Sequence, residues 1–200
     1  MYATHQPETS PVIRKFKRRE CLPMLQNLLW QIDMGMVRTF TLHEDGGITA
    51  LGLWRAGDVI GHPFAGIEPY HIECLSNVQA HLLQIDDRLA LDEAMWSHIH
   101  QSQALLTMHH GSVQTRFRTF LHWLAEKLGQ HSGEECFIPL PLTHQDIAEV
   151  IDSSRVTVTR LIGQFEREGT LSWSRKGCVL HHYSGSGKNP ANHNARIRRH

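Results

Sequence analysis

The chain has 200 residues and 40 % of them are hydrophobic, which is enough for a packed core and excludes a globally disordered protein. Its 20 Lys and Arg residues balance 20 Asp and Glu residues, so any surface that binds an anionic partner must be local. The polar N terminus lacks the apolar segment of a signal peptide and no stretch reaches membrane-spanning length, so we expect a soluble, cytoplasmic protein without membrane contact.

The four cysteines are widely spaced along the chain. Cys21, Cys74, Cys136 and Cys178 include no C-x-x-C pair, which fits neither a zinc knuckle nor an iron–sulfur motif. We therefore expect reduced thiols, most of them buried, and no bound cofactor.

The first half of the chain has the pattern of a β-structure. Between residues 12 and 86, short runs rich in β-branched and aromatic residues alternate with turn segments that contain Gly and Asp. The segment 43–47 (HEDGG) predicts a hairpin turn, and the segment 55–58 (RAGD) predicts a second turn. Many short strands of this kind are typical of a sandwich, a jelly roll or a barrel.

Hydrophobic periodicity changes to a helical one at about residue 91. Residues spaced alternately by four and three form one face of the predicted helix: Met95, Ile99, Ser102, Leu106 and His109. This spacing is typical of a coiled-coil seam and predicts a dimerisation helix. Gly111 then interrupts the helix, and Ser112 is a favourable N-cap for a second helix that ends at Gly129.

The segment 142–180 has the pattern of two short helices joined by a tight turn. Thr143 is a favourable N-cap of the first helix, and residues 152–154 (DSS) form the polar turn. The second helix has an apolar face that we expect to be buried: Val158, Leu161, Ile162 and Phe165. On its other face it presents Arg155, Val156, Thr159 and Arg160.

Two strand-like runs at 171–173 and 178–180 follow and predict a wing around the basic turn at Arg175 and Lys176. Helices and wing together are typical of DNA-binding proteins and place the recognition helix within residues 153–165. The alternative is a helical hairpin whose charged face is merely solvated. The basic wing and the hydroxyl side chains near the second helix favour DNA binding.

The segment 154–160 (SRVTVTR) resembles the recognition helix of the CRP/FNR family of bacterial transcription regulators, especially its cyanobacterial branch, which includes the nitrogen regulators. The segment 52–61 (GLWRAGDVIG) is similar to the β-roll turn of that family. The resemblance covers residues 12–182 and is strongest in the C-terminal third.

The resemblance implies an α+β protein in four parts. An antiparallel, jelly-roll-like β-roll sensor occupies residues 12–91 and a long dimerisation helix occupies residues 92–111. A winged helix-turn-helix domain follows over residues 112–183, and residues 184–200 form a disordered tail. The resemblance also implies a homodimer that binds a palindromic operator in double-stranded DNA and acts on RNA polymerase.

The resemblance assigns base contacts to Arg155 and Arg160, and Arg is the best bidentate partner for guanine O6 and N7. Val156 lies where several relatives have Glu; it can pack on a thymine methyl group but cannot accept from cytosine N4. The other expected DNA-binding residues, most of them at phosphates, are Thr143, Gln145, Ser154, Thr159, Arg175 and Lys176.

The expected effector pocket departs from the cyclic-nucleotide pattern of the family. His62, Tyr70 and His71 align with the acid, the cation and the hydroxyl that hold a cyclic nucleotide in relatives. A phosphate without its Arg loses a charge-assisted bidentate pair, so we expect no cyclic AMP binding. Residues 92–110 contain no Lys or Arg, which also disfavours a 2-oxoglutarate dianion. The effector and the sign of regulation stay open.

The sixteen histidines raise an alternative, a cupin-like protein that binds a small ligand or a metal and uses its winged helix for protein interaction. Its H-x-H motif, His98 and His100, falls on a predicted helix and no nearby Glu completes it. A buried His62 could ligate haem, although a structural role is favoured. We therefore expect neither a metal site nor an enzyme activity.

Overall fold

The computed structural model describes residues 11–24, 26, 28–84, 88–139 and 142–183. It divides into two compact units, the first formed by Met1–Thr41 and Gly52–Ile99 and the second by Leu42–Leu51 and His100–His200. The tail predicted at residues 184–200 lies outside the described residues.

The predicted α+β class with N-terminal antiparallel sheets is confirmed. One four-stranded sheet has the order β1-β7-β2-β5, and a three-stranded sheet has the order β4-β3-β6. The strands are β1 (Arg14–Phe16), β2 (Leu28–Met34), β3 (Met36–Leu42), β4 (Ile48–Arg55), β5 (Val59–Ile60), β6 (His71–Cys74) and β7 (Val78–Gln84).

Both turns predicted from Gly and Asp are present. In the turn between β3 and β4, His43 N donates to Gly47 O over 2.9 Å, and Gly46 has a φ of 80°. Gly57, between β4 and β5, has a φ of 94°. Only glycine adopts such positive φ values without steric cost, so these residues fix where the strands reverse.

Two buried polar side chains of the first unit have polar partners. Arg38, in the middle of β3, is only 5 % exposed, and its Nε donates to Glu73 Oε2 over 2.6 Å. Thr39 Oγ1 accepts a 2.9 Å hydrogen bond from Trp54 Nε1. These pairs offset the cost of removing a charge and an indole N–H from water.

Helix α1 (Arg88–Met108) begins before the predicted start and ends before the predicted end. His109 therefore lies outside the helix, and four of the five predicted seam residues are on it. Gly111, with a φ of 87°, turns the chain after the helix. The His109 ring instead contacts the helix that ends at Val150, and its Nε2 donates to Val150 O over 3.0 Å.

His98 is held inside the first unit by two aromatic rings. Its ring centroid lies 4.1 Å from that of Trp54 and 4.4 Å from that of Phe64, and its Nε2 is 3.1 Å from Val59 O. Burial, partly offset by that hydrogen bond and by the charge of Asp58, lowers the pKa of His98. His98, one of the two histidines of the H-x-H motif in the cupin-like alternative, is therefore engaged in packing within this unit.

The second unit contains helices α2 (Val113–Leu128), α3 (His144–Val150) and α4 (Arg155–Arg167). Ser112 caps α2 as predicted, since its Oγ accepts from Thr115 N over 3.2 Å. Gly129 ends α2 with a φ of −63°, so left-handed geometry is not the reason for glycine there. A side chain at Gly129 would instead collide with Ala125 O and Cys136 Sγ.

The sheet of the second unit has four strands in the order β10-β11-β9-β8, where the sequence predicts two. The predicted wing strands are β10 (Leu171–Ser174) and β11 (Gly177–Leu180). The additional strands are β8 (Gln130–Ser132) and β9 (Glu135–Ile138). Both are short, β8 is polar, and β9 forms its second ladder with β11, about 40 residues away in the chain, so no local pattern reveals it.

Candidate nucleic-acid interface

Helix α4 is anchored by the apolar face that the sequence predicts. Val158, Leu161, Ile162 and Phe165 are all buried, which confirms that prediction. The Phe165 ring lies against the Phe117 ring of α2, with centroids 5.4 Å apart. The turn before the helix contains Asp152 at a φ of 50°, and Ser153 N donates to Ala148 O over 2.8 Å. These contacts fix the entry of α4 and turn its other face outward.

The outward face of α4 contains all four residues that the sequence places there. Arg155, Val156, Thr159 and Arg160 are exposed and together line one shallow, open depression. Val156 is 79 % exposed, so it offers an uncovered apolar group beside two permanent cations. Such a surface can donate bidentate hydrogen bonds and make methyl contacts, the two interactions that base edges in a major groove accept.

The hydroxyl groups predicted to contact phosphates are also used within the protein. Thr143 caps α3 in a capping box: its Oγ1 accepts from Asp146 N over 3.1 Å, and Asp146 Oδ2 accepts from Thr143 N over 2.8 Å. Ser154 caps α4 by accepting from Thr157 N over 3.1 Å. Gln145 donates to Glu149 over 2.8 Å. Thr143 and Ser154 therefore also define where the two helices begin.

The wing turn presents its two cations to solvent. Arg175 and Lys176 are exposed between β10 and β11. Ser174 Oγ donates to Gly177 O over 2.9 Å and accepts from Lys176 N over 3.2 Å, which closes the turn. Two exposed cations on a short, internally bonded turn suit phosphate contacts that do not depend on base sequence.

His144 is a residue of this surface that the sequence reasoning missed. It is the first residue of α3, and its Nδ1 lies 2.8 Å from Thr159 Oγ1 on α4. The edge of its ring meets Trp173 of β10, with centroids 5.9 Å apart. Burial first, and then the charge of Arg155, lower the pKa of His144, against the opposing charge of Glu166. Residues 15 positions apart give no sequence signal of this contact.

The three residues of the expected effector pocket lie in different surroundings. The His62 side chain is 38 % exposed, so it lacks the burial considered for a haem ligand at this position. Its Nε2 contacts Glu68 Oε1 at 3.0 Å, and Glu68 Oε2 accepts from Tyr70 N over 3.2 Å. His71 stacks on Phe40 with centroids 5.1 Å apart. A carboxylate therefore lies between two of the predicted residues.

The seam residues on α1 are open to solvent in the single chain. Met95, Ile99 and Leu106 are 52 %, 44 % and 72 % exposed, and Ser102 is exposed as well. Within the described part of the chain, no three His, Cys, Asp or Glu side chains are grouped to hold a metal ion. Among the helices that the structure describes, none has the length and hydropathy needed to cross a membrane.

Comparison with known proteins gives concordant results. A family model, the Crp-like helix-turn-helix domain, matches residues 115–184. The chain is 35 % identical to the regulatory protein CysR of Synechococcus elongatus over 178 residues, which cover 84 % of this chain and 86 % of that protein. It is also 35 % identical to the global nitrogen regulator of the same organism over 159 residues, covering 71 % and 72 % of the two chains.

Solved structures show a similar fold at low sequence identity. A CRP-family transcriptional regulator from Thermus thermophilus has a TM-score of 0.70 at 20 % identity, with 92 % of this chain and 96 % of that chain covered. FixK2 from Bradyrhizobium japonicum has a TM-score of 0.71 at 17 % identity, with 93 % and 97 % covered.

The capping role of Thr143 makes a first prediction. Thr143→Ala removes the acceptor of the Asp146 amide, so we expect the free energy of unfolding to fall by about 1 kcal/mol. Thr143→Ser keeps the hydroxyl and is the matched control. Urea denaturation followed by tryptophan fluorescence measures both, and an alanine variant as stable as the serine variant would contradict the cap.

Proposed function

The chain belongs to the CRP/FNR family of transcription regulators, and from this we propose that it binds a palindromic operator in double-stranded DNA as a homodimer. One observation carries the proposal: α4 buries its apolar face and leaves Arg155, Val156 and Arg160 uncovered on the other. A helix of this kind fits the major groove of B-DNA.

The exposed groups of α4 define the sequence that each half-site should contain. Arg155 and Arg160 offer the planar fork that matches guanine O6 and N7. Val156 has no acceptor for cytosine N4, and its methyl groups suit the C5-methyl group of thymine. We therefore propose half-sites of the G-T-A type, with Arg155 on the guanine and Val156 at the neighbouring T–A step.

Contacts to the phosphate backbone set the register of this helix. We assign them to the wing cations Arg175 and Lys176 and to polar groups near the helix starts. The latter are Thr143, Gln145, Ser154 and Thr159. Phosphates do not differ between sequences, so these residues contribute affinity, and the two wing cations also contribute salt dependence. The choice of operator is left to the base-contacting residues of α4.

The homodimer follows from the exposed seam of α1. Three large apolar side chains at four- and seven-residue spacing are uncovered on one helix, and a second copy of the same helix would bury them. A two-fold dimer would present two α4 helices about 34 Å apart, one turn of DNA. In this proposal the β-roll over residues 12–91 is the sensor, and the bound dimer acts on RNA polymerase in the cytoplasm.

Selection of operators from random DNA tests the proposed function. We expect a palindrome whose half-site centres are about 10 base pairs apart, with a G-T-A element in each half. Arg155→Ala should cost about 1–3 kcal/mol of binding and relax selection at the guanine. Val156→Glu should shift the preference at the adjoining step from T–A toward C–G, because the carboxylate accepts from cytosine N4.

Variants of the wing serve as controls in the same experiment. Arg175→Ala or Lys176→Ala should weaken binding to all sequences equally and reduce the salt dependence. An unchanged sequence preference in the Arg155→Ala protein would refute the assignment of α4 as the recognition helix.

Charged substitutions on α1 test the dimer interface. Replacing Ile99 and Leu106 together with Glu would bury like charges across the seam, so we expect sedimentation to show monomers and weaker operator binding. A matched double variant at exposed positions off the seam, Gln103→Glu with Thr107→Glu, should stay dimeric. A dimer that survives the Ile99 and Leu106 exchange would exclude this interface.

We further propose that cyclic AMP is not the effector. A cyclic phosphate in the expected pocket would meet the Glu68 carboxylate, which contacts both His62 and the Tyr70 backbone, and like charges repel. Calorimetry should detect no binding tighter than about millimolar and no effect on operator affinity. A micromolar dissociation constant would overturn this assignment.

A further inference from the structure

A protonatable side chain borders the DNA-facing depression. Thr159 lines the depression together with Arg155, Val156 and Arg160. The His144 ring forms a hydrogen bond with the Thr159 hydroxyl. His144 lies at the start of α3, so its ring joins the two helices of the motif at their exposed edge. The inference that follows rests on the proposed function.

The hydrogen-bond pattern determines which ring nitrogen carries the proton in neutral His144. The Thr159 hydroxyl donates its single hydrogen to Arg155 O over 2.9 Å. The 2.8 Å contact between Thr159 Oγ1 and His144 Nδ1 must then be donated by Nδ1. Neutral His144 therefore has its hydrogen on Nδ1, and Nε2 has only a lone pair.

A lone pair at Nε2 cannot bind a phosphate, because phosphate oxygens at neutral pH are acceptors too. The ring becomes a donor at Nε2 only when it takes up a proton and turns into a cation. The charged groups that act on it are both on α4: Arg155, which opposes protonation, and Glu166, which favours it. Trp173 of β10 presents an uncharged ring. The negative charge of the DNA backbone would offset the repulsion that Arg155 exerts on a protonated His144.

We propose that His144 is a proton-dependent phosphate contact, so that operator binding takes up one proton from the solvent at Nε2 of His144 in each half-site. The proton converts the neutral ring into an imidazolium that donates through Nδ1 to Thr159 and through Nε2 to a DNA phosphate. This role separates His144 from the guanidinium groups of the surface, which are charged at every physiological pH.

The sign of the pH dependence follows from the two states. In the free protein, burial and Arg155 hold the pKa of His144 below its usual 6.5, so the ring is neutral at pH 7. A phosphate at Nε2 raises that pKa in the complex. Operator affinity is therefore highest at low pH and falls as the pH rises through the pKa of the complex.

The first experiment measures the wild-type protein on its selected operator. The dissociation constant should rise at least about tenfold between about pH 6 and pH 8. A binding-induced pKa shift of about one unit at each of the two histidines of the dimer changes the constant by about a hundredfold over the whole titration, and this pH range covers only a part of it. Calorimetry in two buffers of different ionisation enthalpy should show net proton uptake on binding. Nitrogen NMR of free protein should show the His144 hydrogen on Nδ1.

Two variants separate the contact to Thr159 from the contact to phosphate. His144→Asn places an amide donor near Nδ1 and nothing at Nε2, so it should give weak, pH-independent binding with a salt slope smaller by about 2 per dimer at low pH. His144→Gln places an amide donor near Nε2 at every pH, so it should bind with intermediate, pH-independent affinity. The control is His131→Gln, at an exposed histidine of β8, which should keep the wild-type pH profile.

The outcomes distinguish this inference from the proposed function. Operator binding that does not vary with pH and takes up no proton would overturn the role of His144 and leave the proposed function intact. A His144→Asn protein with the wild-type pH profile and proton uptake would do the same. Absence of sequence-specific binding at every pH would overturn both. Circular dichroism confirms that the variants are folded before they are compared.

Discussion

Phe165 of α4 packs against Phe117 of α2, and Val158 and Ile162 extend the same buried face along α4. Successive residues of an α-helix are rotated by about 100° around its axis, so burial of this face determines the direction of every other side chain on α4. A rotation by one residue in either direction would expose a phenylalanine and bury a charged side chain, Arg160 or Glu166. The hydrophobic contact between α2 and α4 therefore fixes the positions of Arg155, Val156 and Arg160, although none of them takes part in it.

The exposed surface of α4 combines permanently charged side chains with uncharged ones. Arg155 and Arg160 are charged at any pH the cell experiences, and Val156 offers only shape. The hydroxyl groups beside them already satisfy the backbone: Ser154 accepts from Thr157 N, and Thr159 donates to Arg155 O. Because these hydrogen bonds are local, the surface is preorganised before DNA arrives, and fewer side chains must be ordered on binding.

Several side chains inside the first unit are packed or paired within that unit. Trp54 and Phe64 enclose His98, and the buried Arg38 is neutralised by Glu73. Within the loop between β5 and β6, the Glu68 carboxylate contacts the His62 ring and accepts a hydrogen bond from the Tyr70 backbone N–H. An anionic effector in this loop would have to displace that carboxylate, which makes the loop chemically unlike a phosphate site.

Local patterns in the sequence determined the division of the chain into a β-rich first part and a helical second part, the turns at Gly46 and Gly57, the caps at Ser112 and Thr143, and the buried and exposed faces of α4, because each depends on residues a few positions apart. The resemblance of residues 154–160 added the family, which the comparisons confirm. The tertiary structure alone decided the pairing of β9 with β11, the exposure of His62 and the hydrogen bond from His144 to Thr159. Each of these joins parts of the chain that no periodicity relates, because the partner of a side chain in a folded protein is set by packing and not by separation along the sequence.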